Sequence, residues 1–182
     1  DAIREDTAIV SIMYANNETG VIFPVEEIGH IVKEKGSILH TYAVQAVGKI
    51  PLNLSKSAID LLTLSGHKLH APKGVGALFI RKGITFTPFV VGGHQEKNRR
   101  GGTENVPSII GLGRACEKAK KYMSEEQILV KQLRDKVEDE ILEKAPDVRV
   151  NGHKTKRLPN TTNLSFEFVE GEAILLLLNE RG

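Results

Sequence analysis

The sequence has no tryptophan, only 5% aromatic residues and a single cysteine, Cys116. One thiol cannot close an internal disulfide. Cysteine usage therefore gives no support for an oxidising, secreted setting, and a reducing compartment, the cytoplasm, is expected. An excess of one charge is also missing, since 25 Lys and Arg face 23 Asp and Glu. A net charge of +2 gives no electrostatic reason to expect nucleic acid, and the densest basic run, Lys97-Asn98-Arg99-Arg100, is short and followed by two glycines. Long apolar runs are absent too. The longest, Ala173 to Leu178, falls far below the ~20 residues that cross a bilayer, so no membrane partner is expected. There is no initiator Met: the chain opens directly before a strand and stops just after a helical pattern, which reads as an internal piece of a longer protein.

What is present is ordinary for a globular chain of 182 residues: 40% hydrophobic and 26% charged, enough for one core or parts of two. Ala8 to Met13, apolar and β-branched, predicts a strand buried on both faces. Pro24 at a first helical position, Glu26 and Glu27 in the first turn, Lys33 and Lys35 in the last and Gly36 as the stop predict a helix. Its Val25, Ile28 and Val32 stripe should pack on a sheet. Ile38 to Thr41 is the next strand, and strand, helix, strand with short loops implies parallel pairing through a right-handed crossover. Ser55 is expected to cap a short helical turn before a third strand at Ile59 to Leu64. Gly76 to Arg81 follows a tight turn and should run antiparallel to it.

From Ser108 the pattern turns helical, with Ile109, Leu112, Cys116, Ala119 and Met123 on one stripe, where Cys116 acts as a small buried hydrophobe. Ser124-Glu125-Glu126-Gln127 has capping-box spacing and predicts a second helix, with Val130, Leu133, Val137 and Ile141 buried and Pro146 as its end. Val148 to Val150 and Thr162 to Phe168 read as strands, and Glu172 to Glu180 as a helix. The expected organisation is α/β: residues 1–107 belong to a large domain, 108–123 form a connecting helix, and 124–182 begin a small α+β domain.

Three successive strands finish in polar clusters, Asn16/Asn17, Tyr42/Gln45 and Ser65/His67/Lys68. Ligands of open parallel sheets bind outside the carboxyl ends of the strands, so these clusters are expected to converge. Lys68 sits in the glycine-bearing corner from Ser65 to Gly76. An amine held there can carry a carbonyl cofactor as a Schiff base when desolvation or neighbouring cations free its lone pair; the plainer alternative is a solvated loop lysine. A phosphorylated ring cofactor needs an amine, phosphate donors, a hydrogen bond to a phenolic oxygen and a partner for a ring nitrogen. Lys68, Ser65, His67, Gln45 and Asn17 offer most of these, and position 42 lies where the ring-nitrogen partner is expected. The stretch from Val90 to Pro107 is too long and too charged for a plain connector, and its His94, Arg99 and Arg100 are either solvated or in contact with substrate or a partner subunit.

Four stretches carry a resemblance: Asn16-Asn17-Glu18-Thr19-Gly20; Ala43-Val44-Gln45-Ala46-Val47-Gly48-Lys49; Ser65-Gly66-His67-Lys68 with Pro72-Lys73-Gly74-Val75-Gly76; and Arg100-Gly101-Gly102-Thr103-Glu104-Asn105-Val106-Pro107. In order and spacing they resemble the cysteine desulfurases of the NifS/IscS family, with the class V aminotransferase fold. Leu158-Pro159-Asn160-Thr161 resembles the approach to that family's small domain. The similarity runs over all 182 residues and covers the middle of a family member.

The resemblance implies part of a fold type I, aspartate aminotransferase-like large domain with a mainly parallel sheet, and the start of a small α+β domain. It also implies a homodimer with pyridoxal phosphate as cofactor. L-cysteine would be converted to L-alanine, with sulfur passed as persulfide to an iron-sulfur scaffold or another acceptor protein. Lys68 would anchor the cofactor and transfer protons, His67 would lie against its ring, and Ser65 and His67 would contact the phosphate. Gln45 and Asn17 would hold the phenolic oxygen and the substrate, and Thr103 would reach the phosphate of the other subunit. Two departures stand against this. Tyr42 replaces the family's Asp, and a phenol with a reference pKa of ~10 is neutral and cannot supply a carboxylate's charge to the ring nitrogen. The family's persulfide cysteine and carboxylate-binding arginine fall beyond Gly182, further phosphate contacts fall before Asp1, and Cys116 matches neither, so the stretch by itself is expected to be inactive. Alternatives are a selenocysteine lyase or aminotransferase of the same class, or a cofactor-poor homologue acting as a binding or scaffold subunit.

Overall fold

The computed structural model describes residues 2–182. Strand β1 (Ile9–Met13), helix α1 (Val25–Glu34) and strand β2 (Ile38–Tyr42) make the expected βαβ unit. Strand β3 (Leu61–Ser65) joins parallel to β2, and β4 (Gly76–Ile80) returns antiparallel, giving the order β1-β2-β3-β4. Val25, Gly29 and Val32 form the buried face of α1. Gly29 is needed there, because a Cβ would lie 2.7 Å from Ala58 Cβ and 2.9 Å from Leu39 Cδ2. Val25, Val32, Leu39, Ala43, Ile59 and Leu62 build the core, with Val10, Ile12, Leu64 and Phe79 packed against it. Each fully buried aliphatic side chain contributes about 1.5–3 kcal/mol.

β1 is not buried on both faces. Helix α1 lies against the face carrying Val10, Ile12 and Leu39, while on the other face Ile9 and Met13 stay 49% and 36% exposed. Nor does Ser55 cap a helix. Asn53 makes the turn before β3, its Oδ1 accepting the Ser55 N–H at 3.1 Å and hydroxyl at 2.7 Å, an Asx turn that needs no helical continuation.

After a short helix, α2 (Gln95–Asn98), the two helices expected after Ser108 are one. Helix α3 (Val106–Lys144) runs 39 residues from an Asn105 cap, whose side chain accepts the Ser108 N–H at 3.3 Å. Arg114 to Lys144 contains neither Gly nor Pro, so nothing interrupts propagation at Ser124. The 123/124 boundary therefore falls inside a continuous helix. An unbroken helix also keeps its phase: the inward stripe continues from Leu112 through Gln127 and Val130 to Arg134 and Glu138. Leu133 and Val137, expected inside, are 56% and 52% exposed, and Ile109 is 42% exposed. Cys116 is half-buried.

The polar inward positions hold a strap, residues 157–163. Arg157 pairs with Glu138 at 2.6 Å and 2.7 Å, Thr162 donates to the same carboxylate, and Arg134 donates to the Leu158 and Thr161 carbonyls at 3.2 Å. The hydrogen bond from Arg157 holds the Glu138 carboxyl below the usual carboxylate range. On its other side the strap bridges Val21 through Arg157, and the Leu158 N–H donates to Gly20 at 2.9 Å. Strands β5 (Val148–Val150) and β6 (Leu164–Phe166) pair antiparallel, and helix α4 (Gly171–Glu180) follows.

Candidate active site

Because β1, β2 and β3 are parallel and in register, their carboxyl ends lie side by side: Met13 pairs with Tyr42, and Tyr42 with Thr63. The loops leaving these ends therefore share one edge. After β1, Asn16 Oδ1 accepts the N–H of Glu18 at 2.9 Å and of Thr19 at 2.8 Å. Gly20 closes the loop at φ +73, donating to the Asn16 carbonyl at 3.1 Å. Asn16 is thus spent on the turn, while Asn17 is left exposed. After β2, Ala43 and Ala46 are buried and seat the next turn, with Gln45 half-buried between them. Tyr42 is 43% exposed on the open face of the sheet, beside Met13 and two residues from His40. The His40 ring, bonded to Ser11 at 2.7 Å, is shifted down by burial.

After β3 the chain makes a single 3-10 turn, Gly66–Leu69. A Cβ at Gly66 would lie 2.8 Å from Val75 Cγ1, so only glycine lets the turn sit this close to the start of β4. Leu69 is buried beneath the turn, and His67 and Lys68 face outward and are exposed. The Lys68 amine makes no ion pair or hydrogen bond among the described residues; the hydrogen bond at this residue is to its carbonyl.

A cleft of about 900 Å³ opens between this turn and α3. Gln45, Lys49, His67 and Lys68 line one side, Arg114, Lys118 and Tyr122 the other, with Asn160 from the strap. Lys49, Lys68, Arg114 and Lys118 line the cleft with one carboxylate, Glu126, and Arg114 is paired with Glu117 at its edge, which leaves the cleft cationic and suits an anionic ligand. Burial and the neighbouring Lys68 charge push the Lys49 ammonium down, with Glu126 opposing.

Of the expected site residues, the structure brings Gln45, His67 and Lys68 into one cleft. Ser65, Tyr42 and Asn17 sit on the adjoining strand ends, outside its lining. Thr103 is apart from them, exposed on a loop that Arg100 shapes by donating to the Gly102 carbonyl at 2.6 Å and the Thr103 carbonyl at 3.2 Å. His94 bonds Asn98 at 2.7 Å within the same stretch. The donor set fits a phosphorylated carbonyl cofactor at two points, a free amine and nearby hydroxyl, imidazole and amide donors. At position 42 it offers a phenol.

The aminotransferase class-V family profile matches residues 1–182. The chain belongs to the class V aminotransferases. That family implies pyridoxal phosphate as cofactor. A cysteine desulfurase of Trichormus azollae is 59% identical over 181 residues, covering all of this class V chain and 45% of the relative. The cysteine desulfurase NifS of Azotobacter vinelandii is 55% identical over 180 residues, covering 99% and 45%. A solved NifS-like protein superposes with a TM-score of 0.94 at 42% identity, covering all of this chain and 50% of that one. The chain thus spans about half the length of the relatives it matches. Among the described residues no helix is long and apolar enough to cross a membrane.

Sequence reasoning gave no role to Lys49, Arg114, Lys118, Tyr122 or Asn160. Arg114, Lys118 and Tyr122 recur every four residues, which marks one face of α3. Nothing local says that this face looks at Lys68.

Proposed function

We propose that this chain is the cofactor-anchoring part of a pyridoxal-phosphate cysteine desulfurase. The observation that carries the reading is the Lys68 amine, without a partner among the described residues, standing at the joined strand ends with Gln45 and His67 in one cationic cleft. High identity to proteins named cysteine desulfurase supports it.

Pyridoxal phosphate, when bound, supplies an electron sink for bonds at the substrate's α-carbon. The chain's own residues hold, orient and protonate. Lys68 would anchor the cofactor through its amine and, once released, would carry the proton at the α-carbon. Ser65 and His67 would donate to the phosphate, and the His67 ring would support the cofactor ring. Gln45 and Asn17 orient the phenolic oxygen and the substrate. Tyr42 would offer the ring nitrogen a phenol in place of a carboxylate, which would weaken the sink. Thr103 would reach the phosphate of the other subunit of a homodimer, a role consistent with its position away from the cleft. In the whole protein, acting in the cytoplasm, L-cysteine becomes L-alanine and sulfur leaves as persulfide for an iron-sulfur scaffold or another acceptor protein. The division into 1–107, 108–123 and 124–182 has α3 as the spine shared by both domains.

Tyr42 favours a second reading, a cofactor-poor homologue that serves as a binding subunit. One experiment separates the two. The chain is incubated with pyridoxal phosphate, reduced with borohydride and mapped by mass spectrometry. The desulfurase reading expects a visible absorption band and an adduct on Lys68, both lost in Lys68→Ala. No band and no adduct in the wild-type chain would leave the binding-subunit reading in its place.

A further inference from the structure

The turn that carries Lys68 is backed by residues with no part in the reaction above. The Lys49 ammonium donates to the carbonyl of Lys68 at 3.5 Å, one of the oxygens that the end of a helical turn leaves without a partner. Lys49 is itself pinned. Its N–H donates to the Ala46 carbonyl at 3.0 Å, and its carbonyl accepts the Gln127 side-chain amide of α3 at 2.6 Å. Beside it, Gly48 adopts φ +77, and a Cβ there would run into Leu69 Cδ2 and lie 3.2 Å from Ala119 Cβ of α3. A Cβ at Gly111 of α3 would likewise lie 2.8 Å from Pro72, just past the turn. Bend, turn and helix therefore meet without slack. Lys49 is half-buried next to another cation, an arrangement that disfavours its charge.

We propose that Lys49 is a positioning residue for Lys68: pinned to α3 through Gln127, its ammonium holds the Lys68 carbonyl and fixes the direction in which the Lys68 amine leaves the turn. The value of that direction rests on the function proposed above; the clamp itself does not.

Two readouts test it in the chain. The first is hydrogen exchange of the Ala71 amide, which closes the turn on the Gly66 carbonyl at 3.0 Å, with the Leu39 amide, bonded to Asp60 at 3.0 Å, as the fold control. The second is the share of the borohydride-trapped cofactor found on Lys68. Lys49→Met should speed Ala71 exchange about fivefold and lower the Lys68 share by a similar factor, the scale of one charged hydrogen bond at long range. Lys49→Arg should restore both to within about twofold, because a guanidinium keeps the charge and the reach. An unchanged Ala71 rate in Lys49→Met, or no rescue by Lys49→Arg, overturns the proposal. If Lys49→Met also speeds Leu39 exchange, Gln127→Met repeats the comparison from the α3 side, and no change there overturns it equally. Wild-type chain that forms no adduct at Lys68 while the exchange pattern holds would sink the cofactor reading and leave the clamp standing.

Discussion

At the amino end of β3, Asp60 accepts the Leu39 N–H at 3.0 Å and lies 3.7 Å from Arg81 and 3.9 Å from Lys33. Arg81 in turn donates to the carbonyls of Leu54, Ser57 and Ile59 at 2.5–2.9 Å. At the carboxyl end of the same strand, Lys68 and His67 are exposed, and the Lys68 amine has no partner among the described residues. Both ends carry charge. At one end the charges close the fold, since Arg81 answers the carbonyls of Leu54, Ser57 and Ile59 and faces the Asp60 carboxylate. At the other the backbone is held by glycine contacts, the buried Leu69 and the Lys49 donation to the Lys68 carbonyl, which leaves the His67 and Lys68 side chains available to a ligand. The contrast separates structural charge from chemical charge without reference to any relative.

The strongest break of this comparison pairs Lys68→Ala with Arg81→Ala. Lys68→Ala should abolish the trapped adduct and leave urea stability within about 0.5 kcal/mol, as for an exposed side chain without partners. Arg81→Ala should do the reverse, costing about 3 kcal/mol by stranding the buried Asp60, with Lys68 still carrying the adduct in the folded fraction. Equal effects of the two changes on both readouts would dissolve the distinction.

Next in size is Glu138→Gln, which removes the carboxylate that receives Arg157 and Thr162 and should cost about 2 kcal/mol in urea. Since the folded pKa of Glu138 is lowered, chiefly by the Arg157 hydrogen bond, its contribution is present above the unfolded value of about 4.3 and is lost as pH falls through the folded value. The wild-type chain should therefore lose stability in acid more steeply than Glu138→Gln, measured by urea midpoints from pH 6 downward. Parallel curves would remove Glu138 from the strap's energetics.

The smallest change expected in the fold is Tyr42→Asp. At 43% exposure it should alter stability by no more than about 0.5 kcal/mol, while improving cofactor retention on gel filtration by placing a carboxylate at the position proposed to face the ring nitrogen. Retention equal to that of the wild-type chain would mean that the phenol is not the weak point of the site.

Much of this was legible in the residues because it is local. Pro24, the early glutamates and Gly36 punctuate α1, and the Ser65–Gly76 corner and the antiparallel return of β4 follow from one tight turn. What escaped was set at long range. Leu133 and Val137 look like a buried stripe by composition, yet Arg157, 19 residues after Glu138, turns a carboxylate inward and sends those apolar residues out. The far wall of the cleft comes from Arg114, Lys118 and Tyr122, whose meeting with Lys68 depends on Gly48, Leu69 and Ala119 packing three separate segments together. β1 shows the converse: its sequence suits burial on two faces, and only one face is covered here.

The most direct test of the central claim, that the carboxyl end of the sheet holds its amine free for a cofactor, is the lysine map after borohydride trapping of pyridoxal phosphate. Lys68 should carry most of the label at substoichiometric cofactor. Label spread over Lys33, Lys49, Lys73 and Lys118 in proportion to their exposure, or absent altogether, would contradict it.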